Sequence, residues 1–295
     1  MQGTNVCPTL PKRQLLSNWR LSFQKVDEHM SRLEDRVAFI TGAGSGIGRA
    51  CAIRFAAEGA RVIIAEINSE KGERTCQDVE NATPDHALAV TTDVTDEASI
   101  EAALDQGVEQ FGKIDLLINC AGGSLASDAS VTDVDMSVWS HTIDLDLKGP
   151  FLCCRFGIPH LKRAGGGAIV NFTSVVALKG AFPGHVYAAA KGGIISLTQS
   201  IAGRYWRDNI RANAIAPGIV LSERVGERLG VDPAAPREQQ IAAAMEQKNH
   251  LVDARHPFGY GMPEDIADIA LFLASDESRM VNGAVIPAEG GASLY

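Results

Sequence analysis

Residues 36–59 read RVAFITGAGSGIGRACAIRFAAEG, and this stretch decides the class of the fold. Arg36 to Thr41 is a short apolar run ending in glycines, the pattern of a buried strand. Thr41 to Gly48 (TGAGSGIG) is a glycine-rich turn, and the residues after it space their apolar side chains as a helix does. Strand, glycine turn and helix in that order are the setting of a nucleotide-binding loop. Glycine lets the backbone approach a pyrophosphate, and the helix N-terminus offers free N–H groups and the positive end of its dipole. The spacing is G-x-x-x-G-x-G rather than the G-x-G-x-x-G fingerprint. A tight turn without a ligand uses the same glycines, but the flanking strand and helix favour the binding loop. Its candidate contacts are Gly42, Ser45, Gly46, Ile47 and Gly48.

The next strand, Ala60 to Glu66 (ARVIIAE), ends in an acid. In a dinucleotide-binding βαβ unit an acid at this place bonds the adenosine ribose hydroxyls and repels the extra phosphate of NADP. No basic residue precedes Gly46, where Ser45 stands, and Ile67 follows the acid, so the expected cofactor is NAD. A solvated strand end is the plainer reading of Glu66, and its position argues against it. Further strands are expected at Ala87–Asp93, Ile114–Asn119, Ala168–Ser174, Ile210–Ile215 and Ala284–Pro287. Helices are expected at Ser69–Glu80, Glu97–Phe111 (capped by Asp96), in two stretches around Lys148-Gly149-Pro150, and at His185–Arg207, Arg237–Lys248 and Pro263–Ala274. Strands without polar alternation are buried on both faces. The expected fold is therefore α/β: a parallel sheet of about seven strands with helices on both faces, for which the family resemblance carried by the landmarks that follow implies the Rossmann-type, doubly wound form. Ile219 to Gly261 is charged and too long for an ordinary connection, which makes it a candidate substrate lid.

Ser174, Tyr187 and Lys191 form the chemical constellation. Four residues apart on a helix, the phenol and the ammonium share a face. The ammonium is expected to lower the tyrosine pKa and make it an acid or base near neutrality. Ser174 would polarise a substrate oxygen from the other side. A Y-x-x-x-K spacing alone also describes an ordinary amphipathic helix, so the remaining landmarks have to decide.

Composition removes several classes. A net charge of −9 leaves no basic footprint for nucleic acid. No segment is apolar enough to span a membrane. The six cysteines make no C-x-x-C pair and do not cluster with histidine, as expected of free thiols in a reducing cytoplasm rather than disulfides or a metal site. Residues 1–30 lack the apolar core of a secretory signal, and Asp27 and Glu28 argue against a transit peptide. They are expected to be a flexible extension before a single catalytic domain over 31–295.

Together these landmarks resemble the short-chain dehydrogenases/reductases, from about Arg36 to the C-terminus. The resemblance rests on TGAGSGIG, Asp93-Val94, NCAG at Asn119–Gly122, Ser174, YAAAK at Tyr187–Lys191, Pro217-Gly218 and a late EGG. It implies hydride transfer between a nicotinamide and a secondary alcohol or carbonyl. Tyr187 becomes the acid/base, Lys191 its partner and holder of the nicotinamide ribose, and Ser174 the substrate anchor. Asn119, Ala121 and Gly122 would lie along the cofactor, and Val220 and Ser222 would touch carboxamide and phosphates. One departure stands out: Asp146 occupies the place of the family's catalytic asparagine. That asparagine supports a helix bend and a proton-relay water. A carboxylate there is expected to favour charged Lys191 and to leave activity intact with a shifted pH optimum. Cys120, where asparagine is common, is a milder change.

Other residues are given bland readings. His185 is a pocket wall or surface residue. His250 and His256 are not metal ligands. Trp139, Phe151 and Phe156 are packing residues. The family also implies a homo-oligomer, a tetramer or dimer, with Ala188, Gly192 and Gly193 permitting close approach on the long helix. The leading expectation is an NAD-dependent dehydrogenase of a small or cyclic, largely uncharged secondary alcohol or its ketone. An NADPH-dependent 3-oxoacyl-thioester reductase and a non-catalytic NAD-binding scaffold are the alternatives.

Overall fold

A computed structural model describes residues 31–180, 182–232, 235–246 and 260–293. The expectations for residues 1–30, Cys7, His250, His256 and the middle of the proposed lid lie outside the described residues. Seven parallel strands make one sheet in the order β3-β2-β1-β4-β5-β6-β7. They are β1 (Val37–Thr41), β2 (Arg61–Glu66), β3 (Ala87–Thr91), β4 (Leu116–Asn119), β5 (Gly167–Phe172), β6 (Ile210–Pro217) and β7 (Val285–Ala288). The helices are α1 (Gly46–Ala56), α2 (Ser69–Ala82), α3 (Glu97–Phe111), α4 (Met136–Ile143), α5 (Gly149–Arg163), α6 (His185–Tyr205), α7 (Glu223–Leu229), α8 (Arg237–Glu246) and α9 (Pro263–Ala274).

Each strand sends alternate side chains to opposite faces. Ile40, Ile64, Ile118 and Val170 pack under Cys51 and Phe55 of α1 and Ile266 and Leu271 of α9. Phe39, Ile63, Leu117 and Ile169 pack under Ile100 and Leu104 of α3 and Leu152 and Leu161 of α5. Both faces are thus apolar, which accounts for strands without polar alternation. The order reverses between β1 and β4, and in open α/β sheets ligands bind in the crevice at such a switch point.

Local chemistry sets the element ends. Asp96 caps α3, accepting from the Ala98 N–H at 3.1 Å, and Gly112 ends that helix at φ +82°. Pro263 opens α9, whose first turn is closed by Asp265 accepting from the Met262 N–H at 2.7 Å. The two helical stretches expected around Lys148-Gly149-Pro150 are α4 and α5, joined through a π-helical turn, Asp144–Lys148, with Pro150 in the first turn of α5. Two expectations need correction. First, β5 stops at Phe172, and Ser174 instead caps a 3₁₀ turn, Val175–Ala177, accepting from Val176 N–H at 3.4 Å. Second, Trp139 and Phe151 are not packed: they are 44% and 48% exposed, while Phe156 does rest on the core. Among the described residues no helix is long and apolar enough to cross a membrane, and the described cysteines are free thiols.

Candidate active site

Helix α6 brings Tyr187 and Lys191 together, with the Lys191 Nζ 5.5 Å from the Tyr187 ring centre. Lys191 is buried and donates to the Phe172 carbonyl at 3.1 Å, just beyond the end of β5. The Thr173 hydroxyl donates to the Lys191 carbonyl at 2.7 Å and ties α6 to the same strand end. Lys191 also pairs with Asp146 Oδ1 at 3.0 Å. Asp146 is fully buried, and Oδ1 accepts from Gly123 N–H at 2.9 Å, while Oδ2 has no partner among the described residues. The wide turn at Asp144–Lys148 carries this carboxylate, and such turns recur at functional sites.

The charges oppose one another. Burial pushes the Tyr187 phenol above its ordinary pKa. The Lys191 ammonium pulls it down, Asp146 pushes it up, and Arg224 and the Ser174 hydroxyl pull it down. Burial wins, so the expectation of a tyrosine lowered by its lysine is corrected: a neighbouring charge was legible in sequence, and desolvation was not. Burial also works against the Lys191 ammonium, but Tyr187 and Asp146 outweigh it and hold Lys191 above its ordinary value. That agrees with the charged lysine expected from Asp146.

The α6 N-terminus has glycine, Gly184, at its cap and so no side chain of its own to satisfy it. Asp128, on the segment after β4, supplies the carboxylate, accepting from the N–H groups of Tyr187 (2.9 Å) and Val186 (3.3 Å). His185 is a surface residue, one of the two places expected for it, and its Nδ1 accepts from the Val131 N–H at 3.0 Å and pins the same segment. Sequence reading missed Asp128, although a helix opening on glycine hints at a cap from elsewhere. Asp128→Ala is expected to cost about 1 kcal/mol, the usual worth of a cap. Urea unfolding would show it as a lower midpoint at unchanged slope.

A crevice of about 580 Å³ runs from the glycine loop to Tyr187. Gly42, Ser45, Gly46, Ile47, Gly48, Glu66, Asp93, Val94, Ala121, Gly122, Ser174, Tyr187, Lys191, Pro217, Gly218, Val220 and Ser222 all line it, as does Cys120. Asn119 does not. Its amide donates to Asn171 Oδ1 at 2.7 Å inside the core, because it still belongs to β4 and points into the layer below. Thr41 is an unforeseen support: its hydroxyl accepts from the N–H groups of Cys120 and Ala121, both at 3.1 Å.

The crevice fits a dinucleotide. Gly42 has φ +65°, and a Cβ there would lie 2.8 Å from the Ala121 Cα, so only glycine keeps the loop tight against β4. The Gly46 N–H, at the start of α1, already donates to a carboxylate oxygen of Glu223 at 2.7 Å, a stand-in for a phosphate oxygen. At the far end Glu66 is buried and held by the N–H groups of Gly44 (3.0 Å) and Asn68 (3.1 Å).

Residues 42–293 match the family described as enoyl-(acyl carrier protein) reductase. Levodione reductase of Leifsonia aquatica is 37% identical, over 89% of this chain and 96% of that protein. The chain belongs to the short-chain dehydrogenases/reductases. The 3-oxoacyl-[acyl-carrier-protein] reductase FabG of Thermotoga maritima is also 37% identical, over 88% of this chain and 98% of the relative. A crystal structure of a short-chain dehydrogenase/reductase from Burkholderia xenovorans superposes with a TM-score of 0.78 at 34% identity, covering 90% of this chain and 99% of that one. As a member of this family, the protein is an oxidoreductase acting on CH–OH groups with a nicotinamide cofactor. Within this dehydrogenase/reductase, sequence reading also missed Lys71 beside Glu66 and Arg224 beside Gly123. Both line the crevice.

Proposed function

We propose that the enzyme interconverts a small or cyclic secondary alcohol and its ketone with NAD(H). When bound, the nicotinamide supplies the hydride acceptor or donor. In oxidation the Tyr187 phenolate takes the hydroxyl proton, and Ser174 holds the substrate oxygen. Lys191 stays an ammonium beside the phenolate; two of its three donors are committed to Phe172 and Asp146, leaving one for a cofactor ribose. Asp146 fixes that ammonium. The choice of NAD rests on one observation: a buried carboxylate, Glu66, anchored by two backbone N–H groups at the ribose end. A 2′-phosphate there would meet a like charge with little water to screen it.

The NADPH-dependent 3-oxoacyl-thioester reductase remains the second reading, because Lys71 stands beside Glu66: a Cβ on Gly44 would lie 2.8 Å from the Lys71 Cβ. Parallel fluorescence titrations with NADH and NADPH test the choice. NADH is expected to bind at least about tenfold more tightly, and Glu66→Gln to narrow the gap by weakening NADH and relieving the repulsion of NADPH. Tighter NADPH binding by the wild type would hand the function to the reductase reading.

The same proposal covers assembly and setting. Exposed Trp139 and Phe151, and a helix α6 on which a side chain at Gly192 would meet open space, favour a homotetramer or dimer of this one catalytic domain; Gly193, expected to share that role, instead faces Leu147 of the same chain, 2.9 Å from where a Cβ would stand. Residues 219–261 would form its lid, and a cytoplasmic location accords with five free thiols among the described residues.

A further inference from the structure

Arg224, in the first turn of α7, lies across the backbone of Gly123. A Cβ on Gly123 would come within 2.6 Å of the guanidinium carbon and closer still to both Nη atoms, so the absence of a side chain there is what admits the arginine. The same crevice holds Ser174, Tyr187 and Lys191. Gly123 in turn donates to Asp146, the partner of Lys191, so the guanidinium rests one residue from the catalytic pair.

No carboxylate pairs with Arg224 among the described residues. The acids nearby are otherwise engaged or remote: Glu223 turns to the Gly46 N–H, and Asp146 is held by Lys191 and Gly123. Glu227, one turn further on α7, lines the crevice without closing an ion pair. The arginine of α8, Arg237, is by contrast paired with Asp265 at 2.7 Å. An arginine facing a binding crevice with its fork free is built to take a planar anion through two parallel bonds.

We propose that Arg224 selects substrates bearing a carboxylate, so that the enzyme's alcohols are hydroxy acids and its ketones oxo acids. The proposal rests on the alcohol–ketone reading above and replaces the expected largely uncharged substrate. In the oxidation, the carbinol C–H leaves as hydride to the nicotinamide, the O–H proton goes to Tyr187, and the carboxylate stays unchanged against Arg224.

Matched pairs test this: 3-hydroxybutyrate, 4-hydroxypentanoate and 5-hydroxyhexanoate, each against its methyl ester, with wild type and Arg224→Met. In the wild type at least one acid is expected to exceed its ester about 10- to 100-fold in kcat/KM, and the variant to bring that ratio close to one. Arg224→Lys is expected to recover part of it. Equal acid and ester turnover by the wild type would overturn the proposal. So would a variant that weakens NADH binding and leaves the ratio intact, which would place Arg224 on a cofactor phosphate. A second readout needs no chemistry: hexanoate and methyl hexanoate titrated into the NADH complex. Arg224-dependent hexanoate binding without turnover of any alcohol would sink the alcohol reading and keep the arginine's role. Equal binding of hexanoate by wild type and Arg224→Met would sink the arginine's role itself.

Discussion

Replacing Tyr187 with phenylalanine is expected to reduce turnover about 10³-fold, within the range general acid–base catalysis contributes, while NADH still binds. The substitution removes one oxygen and leaves the ring, which lies 6.2 Å from that of Phe182. The pH profile carries the sharper information. Burial holds the phenol above its ordinary pKa, so at neutral pH most Tyr187 is protonated. Oxidation needs the phenolate, and its rate is therefore expected to climb from neutral into alkaline pH. Reduction needs the phenol and is expected to fall over the same range. In Tyr187→Phe the residual rate should lose this dependence. Asp146 raises the phenol, so Asp146→Asn is expected to move the oxidative limb toward lower pH. Single-turnover hydride transfer, followed at the nicotinamide absorbance, separates this from product release. Wild-type protein that binds NADH but transfers no hydride to a broad ketone panel would overturn the alcohol–ketone reading.

The parts of this molecule that were legible in sequence are those in which local chemistry and tertiary role coincide. Thr41–Gly48 is a tight loop because its glycines allow it, and one of them, Gly42, also clears space against Ala121. The strands declared themselves because both sheet faces are covered. What escaped depends on which distant groups meet. Asp128 caps α6 across 59 positions of sequence, which no spacing rule reaches. Asn119 sits inside a recognisable motif, yet strand alternation turns its side chain to Asn171 rather than to the crevice. Trp139 and Phe151 follow helical spacing, but spacing does not say whether anything covers the stripe. Arg224 reads in sequence as one charge of a charged segment; what sets it apart is that it lies over Gly123 and that no described residue forms an ion pair with it.

The Lys191–Asp146 pair sets the second large effect, and it should appear in stability as well as activity. Lys191→Met removes the ammonium that holds the Tyr187 phenolate, so turnover is expected to fall by at least about 10²-fold. It also strands the Asp146 carboxylate, fully buried, with the Gly123 N–H as its one remaining partner. Breaking a buried ion pair from one side costs about 3–5 kcal/mol, because the charge left behind has lost its water and gained nothing. For a domain of this size that is a drop on the order of 10 °C in Tm. Asp146→Asn alone should cost less, since the amide oxygen still accepts from Gly123 and Lys191 keeps the Phe172 carbonyl. The double variant Lys191→Met/Asp146→Asn discriminates. With no buried charge left, it is expected to regain most of the lost Tm while remaining inactive. A double variant as unstable as Lys191→Met would assign the loss to the packed lysine stem or the orphaned Phe172 carbonyl. A Lys191→Met protein as stable as wild type would mean that Asp146 takes up a proton or reaches water once the ammonium is gone. The pair is thus a place where fold and chemistry meet: Asp146, with Tyr187, holds Lys191 an ammonium, and its carboxylate is tolerated in the interior because that ammonium is there.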